Sequence, residues 1–132
     1  MKNPKTTTVN TDSPIKALGR HWLIELLDCK TQLLSRVKEV AAIMEEAVEV
    51  SGATKVASRF HQFEPYGVSG VIIIKESHFT IHTWPEHAYV ALDIFTCGNL
   101  IDTTKAIDFL KNAFEASGVE QQLIKRGVNI QH

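Results

Sequence analysis

Cysteine is scarce in this 132-residue chain. Cys29 and Cys97 are too few, and too unlike any ligand spacing, to make a disulfide framework or a structural metal site. Charge of one sign is lacking as well. A formal net charge of −1 supplies no basic field for a nucleic acid or an anionic membrane surface, so no nucleic-acid partner is expected. No apolar run approaches the roughly 20 residues that cross a bilayer. The first residues show no apolar leader segment, so no membrane association and a cytoplasmic location are the expectations.

With 44% hydrophobic and 22% charged residues, the chain has the composition of one globular domain able to bury a sizeable core. Residues 1–16 are polar with two prolines, Pro4 and Pro14, and read as a disordered arm. Residues 17–132 read as a single domain. The apolar run His21-Trp22-Leu23-Ile24-Glu25-Leu26-Leu27 suits a first strand over about 19–28, with a helix as the alternative that periodicity alone leaves open. From Thr31 to Ser51, Leu33, Leu34, Val37, Val40, Ala41, Met44, Ala47 and Val48 recur at helical spacing, and Gly52 follows as a stop. Strands follow over Thr54 to Glu64 and Val68 to Lys75, joined through Glu64-Pro65-Tyr66-Gly67, then over Ser77 to Thr83 and Ala88 to Thr96, with a turn at Gly98-Asn99. Asp102 is positioned to cap a second helix running to about Ser117 with Gly118 as its stop, and a short last strand covers Glu120 to Lys125. The order β-α-β-β-β-β-α-β implies an α+β two-layer sandwich: a mainly antiparallel sheet with both helices on one face. The other face needs a cover, which a second copy can supply.

Within this pattern, Glu76-Ser77-His78-Phe79-Thr80-Ile81-His82-Thr83-Trp84-Pro85-Glu86 sets reactive groups inside what otherwise reads as core strand. Buried polar groups cost stability unless they are partnered. His78-x3-His82 with Glu86 and His87 resembles a metal-ligand set. In a strand, however, the two imidazoles lie roughly 13 Å apart at about 3.3 Å per residue, beyond the reach of one ion. No metal is expected. Ser77 and His82 likewise lie roughly 16 Å apart on opposite faces of an extended strand. If they act together, they meet through a sharp bend or across two chains. Alternatively Ser77 marks a strand end and His82 is a satisfied core histidine.

The same stretch, with Phe63-Glu64-Pro65-Tyr66-Gly67-Val68-Ser69-Gly70 before it and Phe95-Thr96-Cys97-Gly98 after it, resembles the bacterial and archaeal S-adenosylmethionine decarboxylases. Three blocks in matching order, from about Gly19 to the end of the second helix, carry the resemblance. It implies a proenzyme that cuts itself between Glu76 and Ser77 into a β chain of residues 1–76 and an α chain of residues 77–132, and turns Ser77 into a pyruvoyl group. The resemblance makes His82 the base that opens an ester intermediate and Ser69 the hydroxyl that assists processing. The pyruvoyl ketone would form a Schiff base with the substrate amine and take up the electron pair left by CO2. Cys97 matches the proton donor to that carbon, a role open to an ordinary thiol, which keeps its proton at neutral pH.

At the substrate, the resemblance implies Phe63 stacked on adenine, Glu86 hydrogen-bonded to the ribose, and Glu76 as a third substrate-binding residue. It also implies a homodimer formed through the sheet side, with Ser77 and Cys97 of one chain facing Phe63, Ser69, His82 and Glu86 of the other. The product would be the aminopropyl donor of spermidine synthesis. Two rivals stand beside this reading: a pyruvoyl-dependent arginine or ornithine decarboxylase on the same scaffold, and an uncleaved, non-catalytic homologue.

Overall fold

The computed structural model describes residues 16–98 and 100–130. The expected N-terminal arm, Lys16 excepted, and the Asn99 half of the expected turn lie outside the described residues. The elements are β1 (Ala17–Leu27), α1 (Val37–Ser51), β2 (Lys55–Gln62), β3 (Val68–Ile74), β4 (Ser77–Trp84), β5 (Tyr89–Thr96), α2 (Thr103–Ala113) and β6 (Gly118–Val128), with 3-10 turns at Thr31–Leu33 and Pro85–His87. The strands form one sheet in the order β2-β3-β4-β5-β1-β6, and every neighbouring pair is antiparallel. This is the expected α+β architecture.

Period-two alternation sorts the sheet into two faces. Ile24 and Leu26 of β1, Ile72 and Ile74 of β3, Phe79 and Ile81 of β4, and Val90, Leu92 and Ile94 of β5 are buried, and join Val40, Met44, Ala47 and Val48 of α1 and Ala106, Ile107 and Leu110 of α2 in one core. The intervening residues of β4 and β5, among them His78, Thr80, His82, Asp93 and Phe95, lie on the opposite, open face at intermediate or full exposure. Ile73 and Trp84, both well exposed, also belong to that face by the same alternation.

Local details depart from the expectation for identifiable reasons. The first helix begins at Val37 rather than Thr31 because tertiary bonds claim the intervening backbone. The Ser35 carbonyl accepts from Gly67 N at 3.0 Å and from Gln62 Nε2 at 2.9 Å, and the Leu34 carbonyl accepts from the Thr83 hydroxyl at 2.7 Å. Gln62 Oε1, 2.8 Å from Val37 N, satisfies a helix-end donor that Arg36 leaves open. Gly52 ends the helix with φ 84°, as its freedom at positive φ allows. Asp102 caps α2 by accepting from Lys105 N at 3.0 Å. That helix stops at Ala113 instead of about Ser117, the chain reverses at Glu115 with φ 54°, and Gly118 opens the last strand. β6 runs to Val128 because β1 offers it a partner from Leu27 back to Ala17.

Candidate active site

The 3–4 hairpin turns at Lys75 and Glu76 and leaves two polar groups of residues at its opposite ends. At the turn end, Ser77 pairs with Thr96, and its hydroxyl lies 3.6 Å from the Cys97 thiol. The Glu76 carbonyl accepts a hydrogen bond from Cys97 N at 3.1 Å. Ser77 itself has φ 153°, a backbone region that costs a non-glycine residue about 1–3 kcal/mol. The Glu76–Ser77 peptide therefore combines a polarised carbonyl, an adjacent hydroxyl and a strained residue. The Glu76 side chain turns away and accepts from Thr54 N at 3.3 Å.

At the other end, Ser69 of β3 faces His82 of β4, and the Ser69 hydroxyl lies 2.8 Å from His82 Nδ1. Phe63 follows β2 with 48% of its surface exposed and its ring edge against His61 at 4.6 Å between centroids. Its N–H donates to the Gly67 carbonyl at 2.8 Å, which closes the turn that the sequence places there. Glu86 sits exposed in the 3-10 turn after β4. Thr83 welds this end to the core: its hydroxyl accepts from Val68 N at 3.0 Å while donating to the Leu34 carbonyl.

The structure thus brings Ser77 together with Cys97, and Ser69 together with His82. It does not bring the two pairs together, because the register Ile74 to Ser77 and Ser69 to His82 sets them five positions apart. At about 3.3 Å per residue this is roughly 16 Å.

Sequence reasoning misses one constellation altogether. His21 of β1, His78 of β4 and Asp93 of β5 converge on the open face, their ligand-type atoms within 4.8 Å of one another. His21 Nε2 is 2.6 Å from Asp93 Oδ2, His78 Nε2 is 3.7 Å from Asp93 Oδ1, and the Thr80 hydroxyl donates to Asp93. Burial works to raise the Asp93 pKa, but the hydrogen bonds from Thr80 and His21 and the neighbouring imidazoles outweigh it, so the carboxyl is held below its ordinary value. The signal available in the sequence is a lone acid inside Ala91-Leu92-Asp93-Ile94-Phe95. His78 and His82, the imidazoles of the apparent ligand set, project from one face four residues apart, as extended geometry requires.

A two-layer α+β domain with a serine hydroxyl beside a thiol at a strained strand start is the class that fold and site define. The S-adenosylmethionine decarboxylase family matches residues 20–127. The chain is 49% identical over 113 residues to the S-adenosylmethionine decarboxylase proenzyme of Thermotoga maritima, covering 86% of this chain and 87% of that protein. It is 50% identical over 105 residues to the proenzyme of the same description from Thermosipho melanesiensis, covering 80% and 81%. The crystal structure of the adenosylmethionine decarboxylase from Aquifex aeolicus superposes with a TM-score of 0.81 at 32% identity, over 89% of this chain and 97% of that one. The chain belongs to the S-adenosylmethionine decarboxylase family.

Proposed function

We propose that the chain is a carboxy-lyase that cuts itself between Glu76 and Ser77 and then decarboxylates S-adenosylmethionine, forming the aminopropyl donor for spermidine. The supporting observation is the Glu76–Ser77 peptide itself, whose carbonyl receives the Cys97 N–H and whose serine is held at φ 153°. Attack of the Ser77 hydroxyl on the Glu76 carbonyl carbon breaks the peptide C–N bond. The hydroxyl proton passes to the Ser77 nitrogen, leaving an ester. The Cys97 N–H is aimed at the oxygen where negative charge gathers in that step.

A base then removes the Cα proton of residue 77, and the Cβ–O electrons leave with the Glu76 carboxylate. His82 suits this step, with Ser69 at 2.8 Å orienting its ring. The resulting dehydroalanine tautomerises, and water displaces ammonia to leave a pyruvoyl ketone at position 77. The residues present fit that group, since its source and the thiol beside it are already adjacent. Once formed, the ketone supplies an electrophile for the substrate amine and a sink for the electrons released with CO2. Cys97 delivers a proton to the carbon that lost CO2, while Phe63 offers an aromatic face to adenine and Glu86 a carboxylate to the ribose hydroxyls. No metal is needed in this chemistry.

The products of cleavage are residues 1–76 and 77–132. Because the two polar ends lie roughly 16 Å apart on one strand, the working site draws Ser77 and Cys97 from one copy and Ser69, His82, Phe63 and Glu86 from a second, packed open face to open face. Such packing also covers Ile73 and Trp84, which are 47% and 39% exposed in the single chain. The cytoplasm is the proposed compartment, in keeping with Cys29 and Cys97 both being free thiols.

Intact-mass measurement of the purified protein should give two fragments whose masses sum to that of the uncut chain plus one water and minus one ammonia, and the fragment of residues 77–132 should react with hydrazine. The cut protein should release labelled CO2 from S-adenosylmethionine. Release from arginine or ornithine alone would overturn the substrate, and a single intact chain with no hydrazine reaction would overturn the mechanism.

A further inference from the structure

Cleavage at 76–77 creates a problem that the uncut chain does not have. Residue 77 loses its tether on the amino side, yet it must stay beside Cys97. The backbone pair Ser77 to Thr96 is the last of its strand, and strand ends open at little cost. The first unaltered side chain behind the cut is His78. Its ring packs against Phe95 at 5.7 Å between centroids and edge-on against His21 at 5.9 Å, with Nε2 3.7 Å from Asp93 Oδ1.

Asp93 is itself held from two sides, by the Thr80 hydroxyl and by His21 Nε2 at 2.6 Å. Arg126 Nη1 lies 3.1 Å from His21 Nδ1. A guanidinium can only donate, so Nδ1 presents its lone pair and the ring proton sits on Nε2, pointing at Asp93. The same contact disfavours a metal ion among these groups, since an ion would take the Nε2 lone pair and force a proton onto Nδ1, facing the guanidinium. The cluster is therefore built to orient a carboxylate, and one oxygen of that carboxylate faces His78.

We propose that Asp93, oriented by Thr80 and by the Arg126-fixed tautomer of His21, anchors His78 and so positions residue 77 after the bond to Glu76 is cut, an inference that rests on the self-cleavage reading above. Asp93, His21 and His78 are positioning residues in this role.

Amide hydrogen exchange of the segment from residue 78 to 84, read by mass spectrometry, tests it on four full-length proteins. These are the cut wild type, cut Asp93→Asn, uncut Ser77→Ala, and uncut Ser77→Ala with Asp93→Asn. Loss of the carboxylate that faces His78 Nε2 should speed exchange by about fivefold or more in the cut pair and by less than about twofold in the uncut pair, where Glu76 still tethers the strand. His78→Phe keeps the ring packing but loses the donor and should match Asp93→Asn in the cut protein, whereas His78→Gln keeps a donor and should exchange more slowly than His78→Phe.

Equal acceleration in cut and uncut pairs would reduce the cluster to general scaffolding, and no acceleration in the cut pair would remove the anchor while leaving self-cleavage intact. Loss of cleavage in both Asp93→Asn and His78→Phe also overturns it, because the anchor acts only after the cut. A wild-type chain that never cuts brings down both readings together.

Discussion

Two inactive variants should repair one another if the site is shared between copies. Ser77→Ala removes the proposed attacking hydroxyl at one end of β4, and His82→Ala removes the proposed base at the other. The five-residue offset in the register keeps the two ends roughly 16 Å apart within any one chain. In a mixed dimer with two-fold symmetry of packing, one site receives both defects and the other receives neither. The intact site holds Ser77 of the His82→Ala chain against His82 of the Ser77→Ala chain. Random pairing at equal expression makes about half of the dimers mixed, so about half of the His82→Ala chains should be cut and carry the pyruvoyl group, and no Ser77→Ala chain should. A size tag on one variant lets denaturing electrophoresis or intact mass count the products. Cutting of His82→Ala chains in the mixture no faster than in that variant alone would refute the shared site, and normal processing of His82→Ala alone would remove His82 from the elimination step.

Three further outcomes are expected. Thr83→Val leaves the Val68 N–H and the Leu34 carbonyl without their hydroxyl partner. At about 1–3 kcal/mol for each buried orphan it should destabilise the uncut Ser77→Ala background by about 2–4 kcal/mol in urea titrations at fixed protomer concentration, and a loss below about 0.5 kcal/mol would contradict that accounting. Burial, helped by the Asp28 carboxylate, pushes the Cys29 thiol up to about 11, so iodoacetamide at mildly alkaline pH should label exposed Cys97 and spare Cys29 until the chain unfolds, with equal labelling rates as the contrary result. The Asp93 carboxyl has a folded pKa below its unfolded value of about 3.9, so its stabilisation is present above that pH and is lost as pH falls through the lower folded value. The stability gap between wild type and Asp93→Asn should therefore narrow over that acid window, and a gap constant with pH would show that the ionised carboxylate is not what the cluster recognises.

What the sequence makes legible, and what it hides, divides along a physical line. Strands and helices follow from local patterns: the β-branched run of Val68 to Ile74, the α1 stripe closed by Gly52, and Asp102 as a cap all stand where the residues place them. Even the separation of Ser77 from His82 is legible, because it needs only the rise of an extended chain. The hidden parts depend on pairing between strands distant in sequence. The start of α1 moves to Val37 because Gln62, Gly67 and Thr83 reach across to residues 34–37. The Cys97 N–H meets the Glu76 carbonyl because the β4–β5 register continues past Thr96. His21, His78 and Phe95 share a row only because β1 and β4 flank β5, an order with β1 inserted late in the sheet. A lone aspartate between Leu92 and Ile94, one step along the same face from that row and paired with Leu23 and Thr80, is its visible trace, since an acid set in an apolar strand must find donors. Its donors come from β1 and β4, on either side of β5, so the order of the strands is what turns an isolated charge into an oriented group near the proposed cleavage point.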